Sequence, residues 1–154
     1  MVMKKILIAL ALLLTGIASG SACTGMSFLA EDGGYVQART IEWGNSYLPS
    51  EYVVVPRGQE LVSYTPTGVN GLRFRAKYGM VGLAIIQKDF VAEGLNEVGL
   101  SAGLFYFPHY GKYEEYDEAQ NATTLSDLQV VNWMLSQFAT IDEVKAAIEG
   151  VKVV

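Results

Sequence analysis

Cys23 is the only cysteine in 154 residues and the side chain with the widest scope for covalent chemistry. It has no second cysteine to pair with, so no internal disulfide can form. To act as a nucleophile it must reach the thiolate state, which takes a neighbouring base or charge. The sole histidine, His109, follows Pro108 at the end of an aromatic run and reads as a loop residue, with nothing local to pair it with Cys23. One Cys and one His fall short of the three or four ligands of a zinc site, and no metal or other cofactor is expected. A second route to thiolate needs no histidine. If proteolysis leaves Cys23 first in the chain, its own α-amino group, with a pKa of about 7.7–8.0, can take the thiol proton. The chemistry would be acyl transfer: the thiolate attacks an amide carbonyl, a thioester forms and water releases the acid. Such a site also needs a carboxylate to hold the amine, a cation beside the thiolate and donors for the oxyanion.

The segment ahead of Cys23 fits that requirement. Lys4 and Lys5 precede an apolar run, "ILIALALLLTGIA", and the small residues "SGSA". A basic start, an apolar middle and a small-residue end are the pattern of a secretory signal, with Gly20 and Ala22 at the −3 and −1 positions of a cut before Cys23. The run is shorter than the roughly 20 residues of a spanning helix. Residues 1–22 are therefore expected to be a signal peptide and residues 23–154 one domain, exported to the periplasm or the exterior of a bacterial cell. Removing 22 of 154 residues leaves 132 and takes two of the 11 basic residues, leaving 9 against 16 acidic, a net of −7. That balance argues against nucleic acid and against an anionic membrane surface as partners.

The elements that must position Cys23 follow from pattern. "CTGMSFLA" and "YVQART" read as strands joined at Asp32-Gly33, a hairpin signal. "EYVVVPRGQELVSYT" reads as a second strand pair turning at Pro56 and Gly58. "RFRAKYGMVGLAII" reads as one buried strand, "AEGLNEVG" as a turn, with Asn96 a turn residue, and "LSAGLFYF" as a further buried strand. "HYGKYEEYDEAQNATT" is polar, acidic and tyrosine-rich, as in a solvated loop. "TLSDLQVVNWMLSQFA" places Leu125, Leu128, Val131, Met134, Leu135 and Phe138 near helical spacing. "TIDEVKAAIEG" opens with a capping box, Thr140 to Glu143, and stops at Gly150. The terminal "VKVV" reads as a strand with no partner left. An antiparallel β-rich block followed by a helix pair is an α+β design.

These blocks, in this order, resemble the choloylglycine hydrolases and penicillin V acylases, members of the N-terminal nucleophile (Ntn) hydrolase superfamily. "ACTGMSFLAEDGGYVQARTIEW" is similar to the family's opening, "VVVPRGQEL" to its second hairpin and "AKYGMVG" to the strand after it. "EGLNEVGLSAGLFYFP" resembles the D-G-x-N-E-K-G-L block and "NWMLSQFATIDEVKAAIEGV" the helix pair. The resemblance implies the N-terminal part of an αββα four-layer sandwich and hydrolysis of a linear, non-peptide amide: penicillin V, a conjugated bile salt or an N-acyl homoserine lactone. It implies Cys23 as nucleophile, Arg39 against its thiolate and Glu42 where the family most often has an aspartate bonded to the terminal amine. The backbone N–H of Tyr106 would supply half of the oxyanion hole, at a position where bile-salt hydrolases typically carry asparagine and some penicillin V acylases tyrosine. The implied partner is a small amide substrate, with room for a homo-oligomer at full length. Family members run to about twice this length, with an oxyanion asparagine and a second arginine drawn from the remainder, so these residues alone are expected to be inactive and to leave one apolar sheet face uncovered.

Other readings stay open on the residues themselves. Arg39 and Glu42 read equally well as a surface ion pair worth about 0–1 kcal/mol. "LFYFPHY" serves either as core and loop aromatics or as an acyl pocket. Cys23 could instead be the lipidated anchor of a surface lipoprotein, although Gly20 stands where a lipobox prefers leucine. Lipidation would block both amine and thiol, so the two readings exclude each other. A degenerate paralogue, with the fold but no catalysis, is the third.

Overall fold

The computed structural model describes residues 23–43, 46–107 and 110–154. The segment read as a signal peptide and His109 lie outside the described residues. Two compact units divide the chain between Ser46 and Tyr47.

The described residues of the first unit form a hairpin of β1 (Gly25–Leu29) and β2 (Tyr35–Arg39), antiparallel in a register running from Gly25 opposite Arg39 to Leu29 opposite Tyr35. The turn is local chemistry. Gly33 takes a positive φ of 85°, which glycine adopts without a Cβ penalty. The Asp32 carboxylate accepts the Gly34 N–H at 3.0 Å, and Ala30 N–H donates to the Gly34 carbonyl at 2.7 Å. The Asp32-Gly33 expectation holds.

The second unit is built on a four-stranded antiparallel sheet, ordered β3 (Ser50–Val55), β6 (Met80–Ile85), β7 (Val91–Asn96) and β8 (Ser101–Gly103). Beside it stands a two-stranded sheet of β4 (Glu60–Val62) and β5 (Arg73–Arg75). Helix α1 (Val130–Gln137) packs on one face of the larger sheet, and α2 (Ile141–Ile148) follows it. Val55, Leu61, Ala76, Met80, Val91, Leu100, Val131 and Leu135 form the core between them. Thr140 caps α2 by accepting the Glu143 N–H at 3.2 Å, and the Glu143 carboxylate accepts the Ala139 N–H at 2.7 Å, so the expected capping box is present with its return bond one residue earlier than usual.

Six sequence expectations are corrected. β3 and β4 flank the Pro56–Gly58 turn but do not pair: β3 joins β6, and β4 joins β5. The stretch Arg73 to Ile86 is two strands, not one, and the strand expected over Leu100 to Phe107 is only β8, with Phe105, Tyr106 and Phe107 exposed. Of the segment read as a turn, residues 92–96 belong to β7 and only 97–99 turn. Its Gly94 is a packing residue, since a Cβ there would lie 2.8 Å from Leu135 Cδ1 and 2.7 Å from the Val81 carbonyl oxygen. Helix α1 is shorter than expected because Thr124–Leu125 form β9, which pairs in parallel with β10 (Lys152–Val153), the terminal strand for which the sequence offered no partner.

Asn96 is a structural residue at the end of β7, 3% exposed. Its Nδ2 donates to the carbonyls of Leu135 and Phe138 at 2.9 and 2.8 Å, and its Oδ1 accepts from Val98 N–H and Leu100 N–H. All four contacts are to backbone, so the amide ties the β7–β8 turn to the end of α1 and leaves nothing for catalysis.

Candidate active site

Cys23 is half-buried and unpaired, just ahead of β1. Its thiol donates to the main-chain carbonyl of Glu42 at 3.7 Å. The hairpin register brings these together, because β2 returns the chain to the start of β1 with Gly25 opposite Arg39. Continuing that register past the strand ends places Thr24 opposite Thr40, and the two are bonded reciprocally. Thr40 N–H donates to the Thr24 carbonyl at 2.9 Å, and Thr24 N–H donates to the Thr40 hydroxyl at 3.1 Å. The Thr40 carbonyl accepts from Arg39 Nε at 3.3 Å. Cys23, Arg39 and Glu42 thus share one end of one hairpin. The Glu42 contact with the thiol is through its backbone, whereas the sequence pointed to its carboxylate.

Tyr106 belongs to the second unit. The Leu104 N–H donates to the Ala92 carbonyl at 2.7 Å, which carries the last rung of the sheet past β8 and releases Phe105 to Phe107 toward solvent. Further along the same segment Phe107 and Tyr110 meet edge to face with centroids 5.9 Å apart, and the Tyr116 hydroxyl lies 2.7 Å from that of Thr67. Burial, then the Asp127 carboxylate and in smaller measure Tyr106, push the Tyr113 phenol above its ordinary pKa. The "LFYF" aromatics are therefore exposed loop residues, not core. Among the described residues no group of three or more His, Cys, Asp or Glu could hold a metal, and no helix is long and apolar enough to cross a membrane.

Residues 23–154 match the profile of the linear amide C–N hydrolases, choloylglycine hydrolase family. The chain belongs to the choloylglycine hydrolase family. It is 28% identical over 134 residues to the bile salt hydrolase/transferase of Clostridium perfringens (strain 13 / Type A), covering 86% of this chain and 39% of that one. Two solved structures of a conjugated bile acid hydrolase from the same species, one a cysteine-to-alanine mutant and one an arginine-to-leucine variant, superpose with TM-scores of 0.67 and 0.66 at 27% and 26% identity. They cover 86% and 84% of this chain but 39% and 38% of theirs. The chain spans about two fifths of the length of the curated relatives it matches. The α+β fold and the family expected from the sequence are both present.

Thr40 is the residue that the sequence reading passed over. Its only signal is arithmetic: once Asp32-Gly33 fixes the turn, Thr40 falls opposite the residue that follows Cys23.

Proposed function

We propose that the protein containing these residues is exported, is cut before Cys23 and hydrolyses the C–N bond of a linear, non-peptide amide through that cysteine. The observation that carries the proposal is that the family match begins at Cys23 itself, the residue a signal cleavage would expose. The amine of Cys23 takes the thiol proton, and the sulfur attacks the amide carbonyl. The tetrahedral oxyanion is met by the Tyr106 N–H and by a second donor from outside these residues. Collapse breaks the C–N bond, the amine leaves with the proton, and water then cleaves the thioester and restores the thiol. Arg39 stabilises the thiolate, and Glu42 holds the terminal ammonium. Two features support the first of these roles. Arg39 lies at the same hairpin end as Cys23. The positions altered in the two solved relatives are also a cysteine and an arginine 16 residues apart, as Cys23 and Arg39 are.

For the acyl group, the relatives' names point to bile salts, whereas Tyr106 and the exposed aromatics beside it favour a flat aromatic acyl group such as that of penicillin V. The test is the intact mass and first residue of the exported protein, followed by hydrolysis of penicillin V and glycine-conjugated bile salt by wild type and by Cys23→Ala. A chain starting at unmodified Cys23, with activity abolished by the alanine, is the expected result. A mass raised by a diacylglycerol would instead make the protein a surface lipoprotein and end the hydrolase proposal.

A further inference from the structure

The geometry points to Thr40 as the positioning residue that sets both Cys23 and Arg39. The inference rests on the cysteine-hydrolase reading above and names a part of its machinery that the family match does not assign. At a hydrogen-bonded antiparallel rung, which alternates with unbonded ones, opposite residues exchange N–H···O=C bonds both ways. At the Thr24–Thr40 rung one half is ordinary, Thr40 N–H to the Thr24 carbonyl at 2.9 Å. The other half is made by a side chain, the Thr40 hydroxyl accepting the Thr24 N–H at 3.1 Å. This substitution has two consequences. The peptide joining Cys23 to β1 is clamped on both of its neighbour's polar groups, which fixes the direction in which the thiol leaves the hairpin. The Thr40 carbonyl, relieved of its ladder role, accepts from Arg39 Nε at 3.3 Å and orients the guanidinium. One hydroxyl therefore governs where the sulfur points and where the Arg39 guanidinium on the same hairpin end stands.

Removing the hydroxyl has a definite structural outcome. In Thr40→Val the Thr24 N–H must find another acceptor, and the nearest in register is the Thr40 carbonyl. Completing the ordinary rung draws that carbonyl off Arg39. Thr40→Ser keeps the hydroxyl and the present arrangement. Because Thr40 is exposed and the change is isosteric, the fold itself should lose little. A displacement of about 1 Å in a reacting group costs up to about 100-fold in rate.

The experiment uses full-length protein as its own cells export it, comparing wild type, Thr40→Val, Thr40→Ser and Cys23→Ser. Two readouts are taken: kcat and KM on penicillin V and on glycine-conjugated bile salt, and the rate of Cys23 alkylation by iodoacetamide across a range of pH from about 5 to about 10, which brackets the thiol's ordinary pKa. Thr40→Val should lower kcat about tenfold or more with KM within about twofold. It should also shift the pH profile of alkylation, and Thr40→Ser should restore both. Wild-type kinetics in Thr40→Val, with Cys23→Ser inert, would overturn the role of Thr40 and leave the hydrolase intact. If wild type turns over neither amide, the hydrolase reading fails, and alkylation still decides this one: an unchanged profile in Thr40→Val refutes it, and a shifted profile restored by serine upholds it.

Discussion

Gln129 is a polar side chain 1% exposed, placed where α1 begins, and its amide stands in for a missing strand. Its Oε1 accepts the Tyr64 N–H at 2.7 Å and the Ser63 hydroxyl at 3.0 Å, and its Nε2 reaches the Val62 carbonyl at 3.4 Å. These are outward-facing groups of β4 and the residues after it, on the side away from β5. Replacing Gln129 by Met keeps length and volume while deleting every one of those contacts. The Tyr64 N–H is then stranded, at about 1–3 kcal/mol. The Ser63 hydroxyl keeps the Tyr64 carbonyl at 3.2 Å, so it loses one bond of about 0.5–1.5 kcal/mol without being orphaned. The expected loss is thus about 2–4 kcal/mol, a large share of the roughly 5–15 kcal/mol that holds a domain together. The assay is urea unfolding followed by the fluorescence of Trp133, which is 5% exposed and packs against Phe138. Ser63→Ala should be less than additive with it, because the Ser63–Gln129 bond can be removed only once. A loss below about 0.5 kcal/mol, or strict additivity of the pair, would refute the idea that this amide substitutes for a strand.

Two further outcomes follow from single residues. Ile86 has a φ of 69° while 56% exposed, a left-handed conformation that costs a β-branched residue about 1–2 kcal/mol. Ile86→Gly gives back about 0.5–1 kcal/mol in chain entropy, so the net effect is a small stabilisation; a lower melting temperature in this variant would show that the conformation carries no strain. The Glu97 carboxylate accepts from the Arg57 guanidinium and from the Gly79 N–H, which hold it below the usual carboxylate range. A depressed folded-state pKa contributes stability above the unfolded value of about 4.3 that is lost as pH falls through the folded value. Glu97→Gln should therefore be the less stable protein at neutral pH and draw level with wild type once the pH has fallen through the depressed folded-state value in matched urea titrations, whereas a gap independent of pH would mean the carboxylate charge is idle.

What could be read in the sequence was what short-range chemistry decides. Asp32-Gly33 forms its turn through a glycine φ and an aspartate bond two residues on, and Thr140 caps α2 three residues ahead, so neither depends on a distant partner. Pairing was illegible because partners are distant. Nothing near Val54 says that its neighbour across the ladder is Val81 rather than a residue of β4. β7 was hidden for a related reason: Glu93, Gly94 and Asn96 have the composition of a turn. Here, however, glycine admits Leu135 of α1, and asparagine bonds four backbone groups, two of them on distant residues. Likewise Thr124 and Leu125 continue a helical stripe on paper, yet Lys152 and Val153 draw them into a parallel rung. Of the candidate site residues, Cys23 was legible from its own chemistry and from the signal-like segment ahead of it, whereas Arg39, Glu42 and Tyr106 were legible only through family blocks. That Glu42 meets the thiol with its carbonyl, and that Thr40 bonds both Thr24, next to Cys23, and Arg39, is set by the three-dimensional hairpin register.

The four-stranded sheet bears on the proposed catalytic role through the face that these residues leave uncovered. One of its faces is covered by α1. The other carries Tyr52, Val54, Val81 and Leu95, which are 87, 73, 47 and 48% exposed. Their alternation with Val53, Val55, Met80 and Gly94 along the ladders is that of a sheet buried on both sides, unlike the apolar-in, polar-out pattern of a solvated one. Burying what remains exposed of these four, about two and a half side chains' worth, stabilises a fold by about 4–8 kcal/mol, comparable with the roughly 5–15 kcal/mol of a typical domain. A second layer on this face would therefore decide whether the sheet is rigid or merely formed. The four-layer sandwich expected from the sequence has such a layer. A backbone N–H can serve as an oxyanion donor only when held to a few tenths of an ångström in a site closed to water. Tyr106, the donor proposed above, leaves the sheet just beyond the last rung after β8, so the precision of its N–H is inherited from that sheet and depends on what covers it.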